Sequence, residues 1–96
     1  MAGLNTVLVS IGTTHPRNIA GIGVDARVAY EYGLQHAMVI VGVTAQDEAG
    51  LREKFALPTG VVRAQLAAMP SDTVAAFRVG ALFDADNVRE VARFLE

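Results

Sequence analysis

The residues best suited to chemistry in this chain are few and widely spaced. Gly21-Ile22-Gly23-Val24-Asp25-Ala26 spells the G-x-G-x-x-A form of a dinucleotide-binding fingerprint. Such a fingerprint needs its first glycine directly after a strand, so that the tight turn delivers a pyrophosphate onto a helix N-terminus. Gly21 instead comes nine residues after Gly12, the expected end of the first strand, with Pro16 and Arg17 between them. That spacing argues against a nicotinamide or flavin site, and no G-x-x-x-x-G-K-S/T phosphate loop occurs. His15 and His36 are the only histidines, 21 residues apart, with no acidic or imidazole neighbour at ligand spacing, which argues against a metal centre. Ser10, His15 and Asp25 have the side-chain types of a nucleophilic triad, but Ser10 falls within an apolar run rather than on an exposed elbow.

Thr44, Gln46, Asp47 and Asp25 carry more chemical promise. A carboxamide such as that of Gln46 both donates and accepts, which suits a heteroaromatic ring bearing an amino group beside a ring nitrogen. A carboxylate such as Asp25 near the start of a helix is favoured as the anion and can hold a ligand hydroxyl or amine. The structural alternatives are that Asp25 only caps or solvates its helix and that Gln46 only closes its own loop. The residues alone leave both open.

Alternating α and β elements must position these groups. The apolar, β-branched runs TVLVSI (6–11) and AMVIVGV (37–43) read as strands covered on both faces. Between them Val24, Val28 and Tyr32 recur at helical spacing, and Gly33 is placed to end that helix. This is a βαβ unit with parallel strands. Further on, Pro58-Thr59 opens a helix carrying Val62, Leu66 and Met69, which Pro70-Ser71 closes. Residues 73–83 read as a third main strand, LREKFAL as a short edge strand, and Asp84 or Asp86 as the cap of a last helix with Val88, Val91, Ala92 and Leu95 on one face. Met38 and Met69 are expected to pack in the core. The expected fold is a single three-layer α/β domain over residues 1–96, a mostly parallel sheet of three to four strands with about three helices. Loops 12–20, 44–50 and 80–85 should meet on one rim, at the carboxyl ends of the strands.

Composition narrows the function. The chain of 96 residues carries 8 basic and 10 acidic side chains, a net charge of −2, without a like-charge run that could track phosphates, so nucleic acid is not the expected partner. It has no cysteine, which fits a cytoplasmic protein, and no apolar run approaches the ~18 residues that span a bilayer. A hydrophobic fraction of 52% is high for so small a domain, whose surface takes many polar residues to cover. A sheet edge or apolar face left over for a partner, in a homo-oligomer for instance, is therefore expected.

Three segments resemble a known family. GTTHPRNIAGIGVD is similar to the glycine-rich opening G-S/T-D-P-S-G-G-A-G-I-Q-A-D of the hydroxymethylpyrimidine and phosphomethylpyrimidine kinases of thiamine biosynthesis, within the ribokinase-like superfamily. VTAQDEAG resembles their T-A-Q-N-T-x-G and FRVGAL their K-I-G-M-L, while VVRAQLAAMPSD is similar to the helix joining those two motifs. The match runs in order along nearly the whole chain. It implies a pyrimidine pocket lined by Gly12, Ala20, Asp25, Thr44 and Gln46 with Ala81 facing it, Asp25 and Gln46 making the polar contacts. Departures fall in the same pocket: His15 replaces an aspartate, Arg17-Asn18-Ile19 replaces S-G-G, Gly23 a glutamine, Asp47 an asparagine and Ala81 a methionine. Arg17, in the altered loop, is a candidate contact for a substrate phosphate.

The resemblance also implies ATP and magnesium, yet the groups that handle them in these kinases come from a carboxyl-terminal half with a second glycine-rich anion hole. Phosphoryl transfer requires such a metal-nucleotide site and donors for the developing charge. After residue 50 only Gly60 and Gly80 occur, apart from each other. The chain is therefore expected to bind no cofactor and to catalyse nothing alone. It would act as the pyrimidine half of an enzyme or assembly, or else as a non-catalytic paralogue that forms homo-oligomers or binds another protein.

Overall fold

The computed structural model describes residues 6–96. In chain order it contains β1 (Val7–Thr13), α1 (Ile22–Glu31), β2 (Gln35–Asp47), β3 (Gly50–Ala56), α2 (Thr59–Ala67), β4 (Val74–Val79) and α3 (Ala85–Leu95). The strands form one sheet in the order β3-β2-β1-β4. β1 runs parallel to both β2 and β4, and β3 returns antiparallel to β2 as a hairpin. This is the mostly parallel α/β arrangement the sequence implies.

The apolar runs explain the layers. Val7, Val9 and Ile11 of β1 alternate with Leu8, Ser10 and Gly12, so the first three share one face of the sheet. On that face they join Val39 and Val41 of β2, Val62 and Leu66 of α2 and Val91 of α3 in the main core. α1 covers the other face, where Ile22 approaches Gly12. α2 begins after Pro58, and its Val62 and Leu66 are buried as expected, with Met69 packed against the core.

Five expectations are corrected. The buried face of α1 is Ile22, Asp25 and Ala29, whereas Val28 and Tyr32 are 42% and 78% exposed. Small Ala29 lets the helix lie close to the sheet, and the carboxylate of Asp25 is accommodated because an arginine from β4 meets it. On α3 the buried residues are Asn87, Glu90 and Val91, while Val88, Ala92 and Leu95 face outward. That helix is turned so that Glu90 meets Arg63 of α2 and Asn87 Nδ2 donates to Leu57 O. Met38 is exposed rather than in the core. Lastly, the third main strand is shorter than expected, ending at Val79, and most of the expected 44–50 loop is strand. Val43, Thr44, Ala45 and Gln46 continue β2 as one arm of the β2–β3 hairpin, with the turn at 48–49.

Local signals hold where they are self-contained. Gly33 follows α1 at φ +72°, a left-handed conformation that ends helices and that glycine adopts without steric cost. Asp84 caps α3, its Oδ1 accepting from Asn87 N at 2.8 Å.

Candidate functional site

The loops at the carboxyl ends of the parallel strands do come together. Gly80 N donates to Ile11 O at 2.8 Å, and a Cβ on Gly12 would lie 3.6 Å from Gly80 Cα, so the ends of β1 and β4 touch through residues without side chains. Thr14 N donates to Gly42 O at 3.2 Å, joining the loop after β1 to β2. Gly21, the first glycine of the G-x-G-x-x-A pattern, has φ +72°, and a Cβ there would lie 2.5 Å from Thr13 O. The glycine lets the chain pass that carbonyl on its way into α1; it does not sit directly after the strand, where a pyrophosphate turn would require it.

These contacts leave a cleft of about 220 Å³ lined by Gly12, Ala20, Asp25, Arg78, Gly80 and Ala81. Asp25 stands in the first turn of α1, whose N-cap Gly21 makes no side-chain capping bond. Its carboxylate is 9% exposed and lies 3.2 Å from Arg78 Nε, and the Arg78 side chain is 55% exposed. The resemblance pointed to four of these lining residues, Gly12, Ala20, Asp25 and Ala81. Arg78 was missed. Its signal was a lone charge in the otherwise apolar strand VAAFRV, whose partner lies far back in the chain.

The hairpin brings the remaining candidates to the same rim but not into the same cleft. Thr44 Oγ1 donates to Thr14 O at 2.8 Å and accepts from Gln46 Nε2 at 3.0 Å, so the two side chains and the loop form one relay. Gln46 and Arg17 line a second cavity of about 390 Å³ together with Asp47 and Arg52. Asp47 accepts from Arg52 Nε at 2.7 Å and from Ala49 N at 2.9 Å. Those donors, Arg52 above all, hold its carboxyl below the usual carboxylate range against the opposing effect of burial. Asp47 thus tightens the hairpin turn. The Arg17 guanidinium, mostly exposed, lies 3.9 Å from a carboxylate oxygen of Glu48.

The two histidines serve local structure. His15 Nδ1 accepts from Arg17 N at 3.0 Å, and His36 Nε2 lies 2.8 Å from the fully buried Ser10 Oγ. Ser10 therefore pairs with His36 rather than His15. Among the described residues no three His, Asp or Glu side chains converge as metal ligands. Three acids near the rim are engaged as well, Asp25 by Arg78, Asp47 by Arg52 and Asp84 as the cap of α3, and Glu48 stands out in solvent beside Arg17. A magnesium-nucleotide complex does not fit this donor set. No described helix is long and apolar enough to cross a membrane.

The fold is a partial ribokinase-like α/β fold. The structure superposes on phosphomethylpyrimidine kinase from Clostridium difficile 630 with a TM-score of 0.84 at 20% identity, covering 95% of this chain and 40% of that one. It matches pyridoxal kinase from Bacillus subtilis, solved as an ADP complex, with a TM-score of 0.86 at 22% identity, covering 97% and 37%. A last common ancestor of HMPPK and PLK/HMPPK vitamin kinases gives 0.81 at 26% identity, covering 97% and 44%. The chain thus spans about two fifths of the length of these kinases. Comparison with curated protein sequences finds no match. The profile of the phosphomethylpyrimidine kinase family matches residues 16–96, and the chain belongs to that family.

Proposed function

We propose that this chain provides the pyrimidine-binding portion of a phosphomethylpyrimidine kinase of thiamine biosynthesis, a cytoplasmic role, and that ATP, magnesium and the phosphoryl-transfer groups are held by residues outside it. The observation that carries this reading is the cleft between β1 and β4. Gly12, Ala20, Asp25 and Ala81, which the family resemblance assigns to pyrimidine binding, converge there from three separate segments. The Thr44–Gln46 relay supplies the carboxamide suited to an aminopyrimidine edge from the neighbouring hairpin. Hydroxymethylpyrimidine and its phosphate are the ligands this chemistry suits. Calorimetric titration of the chain with both tests the reading, and Gln46→Ala should weaken binding by more than about tenfold, ~1.4 kcal/mol. No heat from either ligand with folded protein refutes it.

A second reading rests on β4. Residues 75–79 of β4 are exposed, including Phe77 and Val79, and no described strand pairs with its outer edge. Its faces are only partly covered, Phe77 by Phe94 of α3 and Arg78 by Asp25 of α1, and a largely apolar strand with an open edge is suited to being covered. This suits a non-catalytic paralogue that forms homo-oligomers or binds another protein. A monomeric sedimentation coefficient at micromolar concentration rules out the homo-oligomer.

A further inference from the structure

We infer that Arg78 is the residue through which the cleft between β1 and β4 selects a ligand bearing an anionic group, a phosphate monoester in the pyrimidine reading on which this inference rests. Two charged side chains line the cleft, Asp25 and Arg78. The Asp25 carboxylate is 9% exposed and already faces a guanidinium, whereas Arg78 is 55% exposed. The charge that an entering ligand meets is therefore the cation. A group that drew Asp25 away would leave a guanidinium without its partner, and one that drew Arg78 away would strand a buried carboxylate.

The geometry leaves the rest of the guanidinium accessible. Asp25 Oδ1 lies 3.2 Å from Nε, an ion-pair contact with that one nitrogen. Nη1 lies over Gly80, 3.4 Å from where a Cβ would be, so the missing side chain keeps open the floor on which that nitrogen rests. Among the described residues the terminal nitrogens have no other acceptor. A guanidinium beside a buried carboxylate presents its terminal N–H groups as a planar fork, which suits the oxygens of a phosphate better than a hydroxyl. Arg17, the other basic candidate, lies in the hairpin cavity with Glu48 3.9 Å away.

The test is calorimetric titration of the purified chain with phosphomethylpyrimidine and hydroxymethylpyrimidine. The phosphate ester should bind at least about tenfold more tightly than the alcohol. That ratio should fall to near unity in Arg78→Gln/Asp25→Asn, which removes both charges and strands neither, and should persist in Arg17→Ala. With the unmodified protein the ratio should also shrink as salt rises from about 0.05 to about 0.5 M, because a half-exposed ion contact is screened; this arm stands even if the double variant fails to fold. Equal binding of the two ligands, a ratio indifferent to salt or to the double variant, or a ratio lost in Arg17→Ala overturns the role of Arg78 and leaves the pyrimidine site intact. Absence of binding by either ligand removes both.

Discussion

Gln65 of α2 holds Ile40 of β2 by both ends of its carboxamide: Oε1 accepts from Ile40 N at 2.8 Å, and Nε2 donates to Ile40 O at 2.7 Å. The side chain occupies the place of a missing strand. β3 begins to pair with β2 only at Gly42, and the β1 ladder shifts register between Gly12 and Thr13, opposite this point. Without Gln65, the outer edge of β2 would carry an unpaired N–H and C=O beneath α2.

Gln65→Ala should therefore destabilise the domain by about 2 kcal/mol, since each backbone group left unpaired in a partly buried site costs ~1–3 kcal/mol and water recovers part of it. Gln65→Glu keeps the acceptor but sets a carboxylate oxygen against Ile40 O, and should destabilise at least as much. Urea unfolding followed by circular dichroism measures both, with an unchanged m-value expected. A midpoint unaffected by Gln65→Ala would show that the amide is incidental.

The second prediction concerns Gly42 and Phe83. A Cβ on Gly42 would lie 2.5 Å from Phe83 Cδ2 and 2.9 Å from Phe55 O. Phe83 itself sits at φ +72°, an uncommon conformation for a bulky residue, with Lys54 Nζ 5.3 Å from its ring centroid. Gly42→Ala should cost about 1–3 kcal/mol by overpacking. The same substitution in a Phe83→Gly background should cost about half as much, because the ring can no longer clash while the Phe55 carbonyl remains. A double-mutant cycle in urea reads the coupling, and strict additivity would count against the packing account.

Acid should weaken the contact between α2 and α3. Glu90 accepts from Arg63 Nη2 at 2.7 Å and from Arg93 Nη1 at 2.8 Å. The hydrogen bond from Arg63 leads in holding its carboxyl below the ordinary range; burial opposes this, and the charge of Arg63 and the contact from Arg93 add to it. The folded value thus lies below the unfolded one of about 4.3. The stabilisation is fully present above that value and is lost as pH falls through the lowered folded value. Stability measured from pH 7 downward should decline over that window, and Glu90→Gln should be less stable at pH 7 and show a shallower decline. An identical slope in the variant would remove Glu90 from the account.

What the sequence discloses here depends on whether a residue's partner is near it in the chain. The apolar strands β1 and β2, the α2 stripe of Val62 and Leu66 and the cap at Asp84 all rest on local pattern, and each occurs where that pattern places it. The burial of Asp25 rests on Arg78 and that of Glu90 on Arg63, partners remote in sequence that no periodicity discloses. Those two pairs displace the buried faces of α1 and α3 from their most apolar stripes. In the sequence the hairpin arm has the look of a loop because its residues leave the core, where alternation rather than a continuous apolar run marks a strand. For the site, the resemblance points to four residues that line the cleft, Gly12, Ala20, Asp25 and Ala81, but it does not disclose that Gln46 and Arg17 line a separate cavity or that Arg78 answers Asp25.

Thr44 joins the hairpin to the loop after β1, and through it the state of that loop should reach Gln46. Its hydroxyl donates to Thr14 O and accepts from Gln46 Nε2, so one group fixes both the loop carbonyl and the orientation of the carboxamide. Thr44→Val removes the hydroxyl and nearly conserves the shape, breaking both contacts at once. If Gln46 binds the pyrimidine, Thr44→Val should weaken the affinity about fivefold, ~1 kcal/mol, by freeing an amide that must then be ordered on binding. Adding Gln46→Ala should then cost less than it does alone, because the relay it depends on is already broken. Calorimetry on the two single variants and the double variant separates the cases. Full additivity would mean that Gln46 meets its ligand unaided by Thr44, and no effect of Thr44→Val would place the binding edge away from the hairpin.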